Sequence, residues 1–248
     1  MKTLLAKHRS IRKFRSEPIA PEVLQDMLEA ASRASTCGNM QLYSLIVTQS
    51  RELREALAPC HFNQPMVTQA PCVITVCADV RRFSMWCEQR DAEPCYDNFA
   101  WFLNGVTDAL LAAQNRWGEA EAHGWGIWYL GTTIYTAEEI ARILDLPKGV
   151  IPVTTIVVGH PDESPELTDR LPLDAVVHCE KYHHYTSSEI DELWAEKETS
   201  EETRRLLEEN GLPNLAQIFT RNRYRAEDNL AISRNYFALL KKQGFFNN

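Results

Sequence analysis

In the segment His8-Arg9-Ser10-Ile11-Arg12-Lys13-Phe14, four of the seven residues can carry positive charge and Ser10 adds a hydroxyl. Arg9 and Arg12 stand three apart on either side of that hydroxyl. Guanidinium forks take phosphate oxygens in pairs, and a serine supplies a short donor. The segment can therefore hold an anion, although a short basic run near a terminus is also a common solvated face. A small polar turn follows downstream, Thr36-Cys37-Gly38-Asn39, with Gln41 just beyond it. Far from both, Arg221, Arg223 and Arg225 alternate within an acidic C-terminal region. On an extended segment their side chains would share one side. In a loop they would instead pair with neighbouring acids.

Composition narrows what such groups can serve. The chain has 248 residues, 44% of them hydrophobic, which is enough to bury a substantial core. Its net charge of -8 argues against a broad nucleic-acid surface. No apolar run approaches the ~20 residues of a membrane span. The first residues are interrupted by charge too early for a signal peptide, which points to the cytoplasm. There are seven cysteines, an odd number, with no C-x-x-C pair. They read as mostly buried small hydrophobes in a reducing compartment. His183 and His184 have no nearby second pair of ligands, so no zinc site is expected.

The elements that must position these groups follow an α+β pattern. Residues 21–33 read as a helix, with Pro21 in its first turn and Leu24, Met27, Leu28 and Ala31 on one face. Segments 42–48, 72–78 and 153–158 read as strands, as does the end of 124–131. The second of these is apolar enough to be buried on both faces. A short helix is expected over 52–57, and 81–94 reads as a variable loop or short helices over a pocket. The longest periodic stretch is 98–122, where Phe99, Phe102, Leu103, Val106, Leu110, Ala113 and Trp117 recur at helical spacing. Trp101 and Leu111 make it apolar on a second side, the mark of a central, buried helix. Thr136 and Glu139 form a capping-box pattern before a helix to Leu144, as do Thr186 and Glu189 before a charged helical region reaching about 209. Residues 162–174 read as an acidic, proline-bearing excursion with Arg170 as its only base. A final helix is expected over Ala226–Lys242, with lysines suited to its C-terminal end. One domain, 1–248, is the simplest division, with a core to about 160 and an extension beyond it.

Taken in order, these blocks resemble the nitroreductase family. The His-Arg-Ser-Ile-Arg block comes first, then the turn from Thr36 to Gln41, the strand over 72–78 and the long helix after Asn98. Trp128-Tyr129-Leu130-Gly131 precedes a helix and Leu146-Pro147, and Val158-Gly159-His160-Pro161 leads to Arg170-Leu171-Pro172. The chain is most similar to oxygen-insensitive, NADPH-preferring nitroreductases and flavin reductases with a long C-terminal extension. That resemblance implies a central, mostly antiparallel sheet flanked by helices, a long central helix and an extension wrapping the partner of a homodimer.

It also implies FMN as cofactor, with NADPH or NADH as co-substrate. By this resemblance His8, Arg9, Ser10 and Arg12 bind the flavin. Thr36, Gly38 and Gln41 form a second segment, one that the family tends to draw from the partner subunit. Gln64 matches a position on the isoalloxazine edge. Tyr129, Leu130 and Gly131 match a backbone run along the ring, and Arg170 matches a phosphate-binding arginine. Arg223 and Arg225 are the candidates for the 2′-phosphate of NADPH. Two departures imply a less positive phosphate site: Thr168 stands where relatives often carry a base, and Cys37-Gly38-Asn39 replaces a serine-rich run. The implied activity is ping-pong reduction of nitroaromatics, quinones or similar small acceptors, with no side chain required as general base. The alternatives are a flavin reductase supplying free reduced flavin and a non-redox flavin-binding protein. The block 128–131 is not a dinucleotide fingerprint, since no G-x-G-x-x-G opens a helix there.

Overall fold

The computed structural model describes residues 6–246, except for the side chains of Arg116, Trp117 and Glu119. The expectations resting on Trp117 and on the first five residues therefore lie outside the described residues. The chain divides into two compact units, 1–166 with 232–248, and 167–231. The core and extension expected from sequence meet close to the first border. The return of residues 232–248 to the first unit has no counterpart in that division.

The first unit is built on a four-stranded antiparallel sheet in the order β1-β2-β4-β3, comprising β1 (Tyr43–Thr48), β2 (Cys72–Asp79), β3 (Gly126–Leu130) and β4 (Val150–Gly159). Every residue of β2 is buried, as its continuous apolar run requires. The helices of this unit are α1 (Pro21–Ser32), α2 (Arg51–Leu57), α3 (Met66–Gln69), α4 (Arg81–Glu88), α5 (Phe99–Ala122) and α6 (Ala137–Ile143). Of the two readings of 81–94, a variable loop or short helices, residues 81–88 take the helical one. α5 packs on the sheet through small residues, with Ala109, Ala112 and Ala113 fully buried. Gly105 lets it come close, since a Cβ there would sit 3.1 Å from the Ala78 Cβ and 3.2 Å from the Leu42 carbonyl.

The long helix is not buried all round. Phe99, Leu103, Leu110 and Leu111 remain exposed on the single chain. Periodicity detected two apolar sides, but the sheet covers only one. The capping box at Thr136 also fails to form. The Thr136 hydroxyl donates to the Cys60 carbonyl at 2.7 Å, and Glu139 pairs with Arg142.

In the second unit the charged region forms α7 (Ser187–Thr199) and α8 (Glu201–Asn210), separated at Ser200, which accepts from the Thr203 N–H. The Thr186 capping box is present as expected. α9 (Ala226–Lys242) begins in this unit and continues into the first.

Candidate active site

The basic N-terminal segment is fixed by backbone pairing to the sheet edge formed by β3 and to the end of β4. The Ile11 N–H donates to the Ile127 carbonyl at 3.0 Å, and the Arg15 N–H donates to the His160 carbonyl at 2.9 Å. Gly126 makes the approach possible, because a Cβ there would lie 2.8 Å from Ile11 Cγ1. Ile11 and Phe14 are buried along the segment, while Arg12 and Lys13 between them stay exposed. The Arg12 guanidinium lies over the Trp128 ring, 3.8 Å from its centroid. The Glu163 carboxylate accepts from the Arg12 and Lys13 N–H groups, at 2.5 and 3.1 Å.

Three stretches singled out by sequence share one apolar floor. Ile11 and Phe14, Ala58 with Met66 and Val67, and Leu130 pack with Val73 and Val157 in a single cluster. The segments that carry Arg12, Gln64 and Gly131 thus meet at one cluster. The Leu130 side chain is wholly buried, so only its backbone can face a ligand. Gly131 is exposed, and the space its Cβ would take is open. An open cavity of about 740 Å³ adjoins this floor, lined by Arg12, Lys13, Arg15, Met66 and Gln69 among others. His8 is drawn to the end of α5, with Nδ1 3.1 Å from Glu121.

Residues 36–41 are not brought to this neighbourhood within one chain. Tyr43 pairs with Ala78, which pairs with Ile151, whereas Trp128 pairs with Val157 and, through Val73, with Thr48. The turn before β1 therefore lies at the opposite edge and the opposite end of the sheet from Arg12. With strands ~4.8 Å apart and a rise of ~3.4 Å per residue, that separation is roughly 20 Å. The turn is well ordered in its own place. Asp108 of α5, buried to 2% exposure, accepts from the Thr36 hydroxyl at 2.5 Å and from the Cys37 and Leu42 N–H groups at 3.0 and 3.1 Å. Gly38, Asn39 and Gln41 all take left-handed φ, a conformation that glycine and asparagine accept most readily.

Arg170, Arg223 and Arg225 belong to the second unit. Arg170 donates to the Thr168 and Asp169 carbonyls. The three alternating arginines are not extended. Residues Ile218–Arg223 form a π-helical turn, so period two does not align their side chains. Arg223 lies over Phe219, 5.3 Å from the ring centroid. Arg225 is engaged by Glu227 and Asp228.

Sequence reasoning missed three residues here. Trp128 carried no signal of its own until Arg12 lay on it. Asp108 is distinguished only by its burial with three donors. His61 carries no sequence signal. It is fully buried, its Nδ1 lies 2.8 Å from the Thr132 hydroxyl, and burial pushes its imidazole down to about 4.

The residues present suit a phosphorylated, planar cofactor. Arg9 Nε is buried without a hydrogen-bond partner, a costly state that an anion would relieve. The open backbone at Gly131 admits a flat ring against a peptide. A nitroreductase-family profile matches residues 5–160. The chain belongs to the nitroreductase family. A nitroreductase-like fold also follows from solved neighbours. A Bacteroides fragilis chain shares 47% identity at a TM-score of 0.97, covering 99% of this chain and all of its own. The NADPH:FMN oxidoreductase of Vibrio harveyi is 26% identical at a TM-score of 0.82, covering 100% of this chain and 99% of its own. Among curated relatives, an NADPH-dependent oxidoreductase of Staphylococcus aureus is 35% identical over 184 residues, 73% of each chain. Against this nitroreductase background the segments gathered on the common floor are those that the resemblance assigned to the flavin.

Proposed function

We propose that the protein is an FMN-dependent NADPH oxidoreductase that reduces small electron-poor acceptors such as nitroaromatics and quinones, and that it works as a homodimer. The observation that carries this reading is the apolar cluster at which the segments of Arg12, Gln64 and Gly131 meet, together with Arg9 Nε, buried without a hydrogen-bond partner. The NADPH-dependent and NADPH:FMN oxidoreductases among its relatives support the same reading.

When bound, FMN supplies the hydride chemistry at its own ring. The chain's residues hold and bias it. Arg9 and Ser10 take the phosphate, with Arg170 as a further candidate. Arg12, braced by Trp128, would supply positive charge to stabilise the negative charge of the reduced ring. The Gly131 N–H and the Gln64 side chain would donate hydrogen bonds that orient the ring. The partner supplies its own Thr36, Gly38 and Gln41, since one chain places that turn roughly 20 Å from Arg12. For the donor, Arg223 is the candidate for the 2′-phosphate, because Arg225 already pairs with two acids.

The test is a visible spectrum of the purified protein followed by NADPH oxidation with nitroaromatics, quinones and free FMN as acceptors. Bound flavin with turnover on organic acceptors supports the proposal. Preference for free FMN identifies a flavin reductase, a reading favoured by the Vibrio harveyi likeness. A flavin-loaded protein that never oxidises NADPH rules out an enzyme of this class. Arg9→Ala should weaken FMN binding roughly 10- to 150-fold, the range for a lost charge-assisted hydrogen bond. An unchanged dissociation constant removes Arg9 from the phosphate site. Arg223→Ala should raise KM for NADPH and leave KM for NADH unaltered, as steady-state kinetics with both donors will show.

A further inference from the structure

We propose that His61 is a positioning residue that ties together the two loops bordering the flavin edge, so that Gln64 and the Gly131 peptide are set as one unit. The inference rests on the flavin reading above. The His61 ring Nδ1 meets the Thr132 hydroxyl, the residue after Gly131, at 2.8 Å. Its own carbonyl accepts from the Gln64 N–H at 3.1 Å. One residue thus touches both loops, by ring and by backbone. The loops are stitched again by the Thr136 hydroxyl on the Cys60 carbonyl at 2.7 Å. Beneath them the Thr133 hydroxyl donates to the Leu130 carbonyl at 2.8 Å and lies 2.9 Å from the Thr155 hydroxyl.

The backbone gives an independent reason for such a tie. Phe62 and Asn63, the residues between His61 and Gln64, both take left-handed φ, at +55° and +53°. Two consecutive non-glycine residues in that region are strained and persist only when surrounding contacts hold them. Phe62 is 61% exposed, so its side chain supplies little of that hold. A purely space-filling residue at position 61 would be better apolar. The imidazole is fully buried and its Nε2 has no partner, a cost that a leucine of similar bulk would not carry. What the imidazole adds is direction, through a hydrogen bond of fixed geometry to Thr132. Burial also keeps it neutral at physiological pH, so the tie does not depend on charge.

The experiment measures FMN dissociation constants and visible flavin spectra for wild type, Thr132→Val, His61→Leu, His61→Asn and the double variant Thr132→Val/His61→Leu, with thermal unfolding of each alongside. Thr132→Val and His61→Leu should each weaken FMN binding roughly 2- to 10-fold, the effect of one neutral hydrogen bond, and shift the flavin absorption bands. The double variant should bind no more weakly than His61→Leu alone, because the two residues act through one contact. His61→Asn, whose amide nitrogen can stand near the Nδ1 position, should remain close to wild type. Variants that melt earlier yet keep wild-type FMN affinity and spectrum would overturn the inference and leave the pair merely structural. Additive losses in the double variant would overturn it as well. If His61→Leu fails to fold, the isosteric Thr132→Val change decides. A wild type that takes up no FMN removes the flavin reading and this inference together, whereas a flavin-binding wild type with unshifted variants removes this inference alone.

Discussion

Arg9 and His61 show how much of a site depends on groups left partly unsatisfied. Arg9 keeps Nε buried without a partner, and His61 stays uncharged because the interior resists a charge. The second fact has a pH consequence. A free imidazole titrates near 6.5, and burial takes His61 down to about 4. Between those values the unfolded chain binds a proton that the native chain refuses. Stability is therefore lost as pH falls through this window, and it is unaffected by His61 above it. The expected loss between pH 7 and pH 5 is about 2 kcal/mol. Denaturant unfolding of wild type and His61→Asn at both values isolates the contribution. The gap in stability between them should change by about that amount, and a constant gap would show that His61 titrates normally in the native state. From sequence, Arg9 was recognisable by its spacing to Ser10 and Arg12. His61 was not, since a single histidine between Cys60 and Phe62 says nothing about its depth.

At the scale of elements, the N-terminal segment depends on a strand to which it is not adjacent in sequence. Its pairing with β3 and β4 sets Arg12 on Trp128, and Gly126 is what allows the approach. Gly126→Ala would drive a methyl into Ile11, within 2.8–2.9 Å of three of its side-chain atoms. Such overpacking costs about 1–3 kcal/mol. The variant should unfold at lower denaturant and bind FMN more weakly, and adding Ile11→Ala should recover part of both losses. Absence of any recovery would mean that the clash is relieved elsewhere. The same scale explains why the Thr136 capping box does not form and why the extended reading of 221–225 does not apply. The Thr136 hydroxyl had a good capping partner in Glu139, but the Cys60 carbonyl, buried across the loop, took it instead. The arginines of 221–225 alternate in sequence, but a π-helical turn sets their directions. In the first case a contact from outside the window prevailed, and in the second the local backbone conformation did.

For the whole molecule, the open question is what covers α5. Phe99, Leu103, Leu110 and Leu111 are exposed on the single chain, with Leu103 at 48%. A patch of this kind marks an interaction surface. The proposed homodimer supplies a second copy as its occupant, and the turn from Thr36 to Gln41, far from Arg12 within one chain, rests on Asp108 of the same helix. Obligate dimers bury more than ~2,000 Å². Sedimentation at micromolar concentration should show a dimer, and Leu103→Glu combined with Leu110→Glu should yield a monomer with greatly reduced FMN affinity. A wild-type monomer carrying FMN would sink the shared-site arrangement. Mixing chains tests it further. An Arg9→Ala chain paired with a Gln41→Ala chain forms one site carrying both changes and one intact site, so the mixed dimer should recover about one tight FMN site per two chains.

The order of short motifs from His8 to Pro172 determined the family resemblance, and hydrophobic periodicity located the four strands and the long helix. Both are written locally, in side-chain types and in periods of about two or 3.6 residues. The segments that meet on the common floor were decided only by tertiary structure, because Ile11, Met66 and Leu130 come from distant parts of the chain and the Ile11 N–H reaches the Ile127 carbonyl across more than a hundred residues. Depth was decided there too. His61, Asp108 and Trp128 have ordinary surroundings in sequence, and only packing made one neutral, one the organiser of a turn and one a brace for a cation. The exposed side of α5 belongs to the same class. Its periodicity reports that a face is apolar, but which residues the chain itself covers depends on the fold, and here the sheet and α1 leave Leu103 and Leu110 exposed.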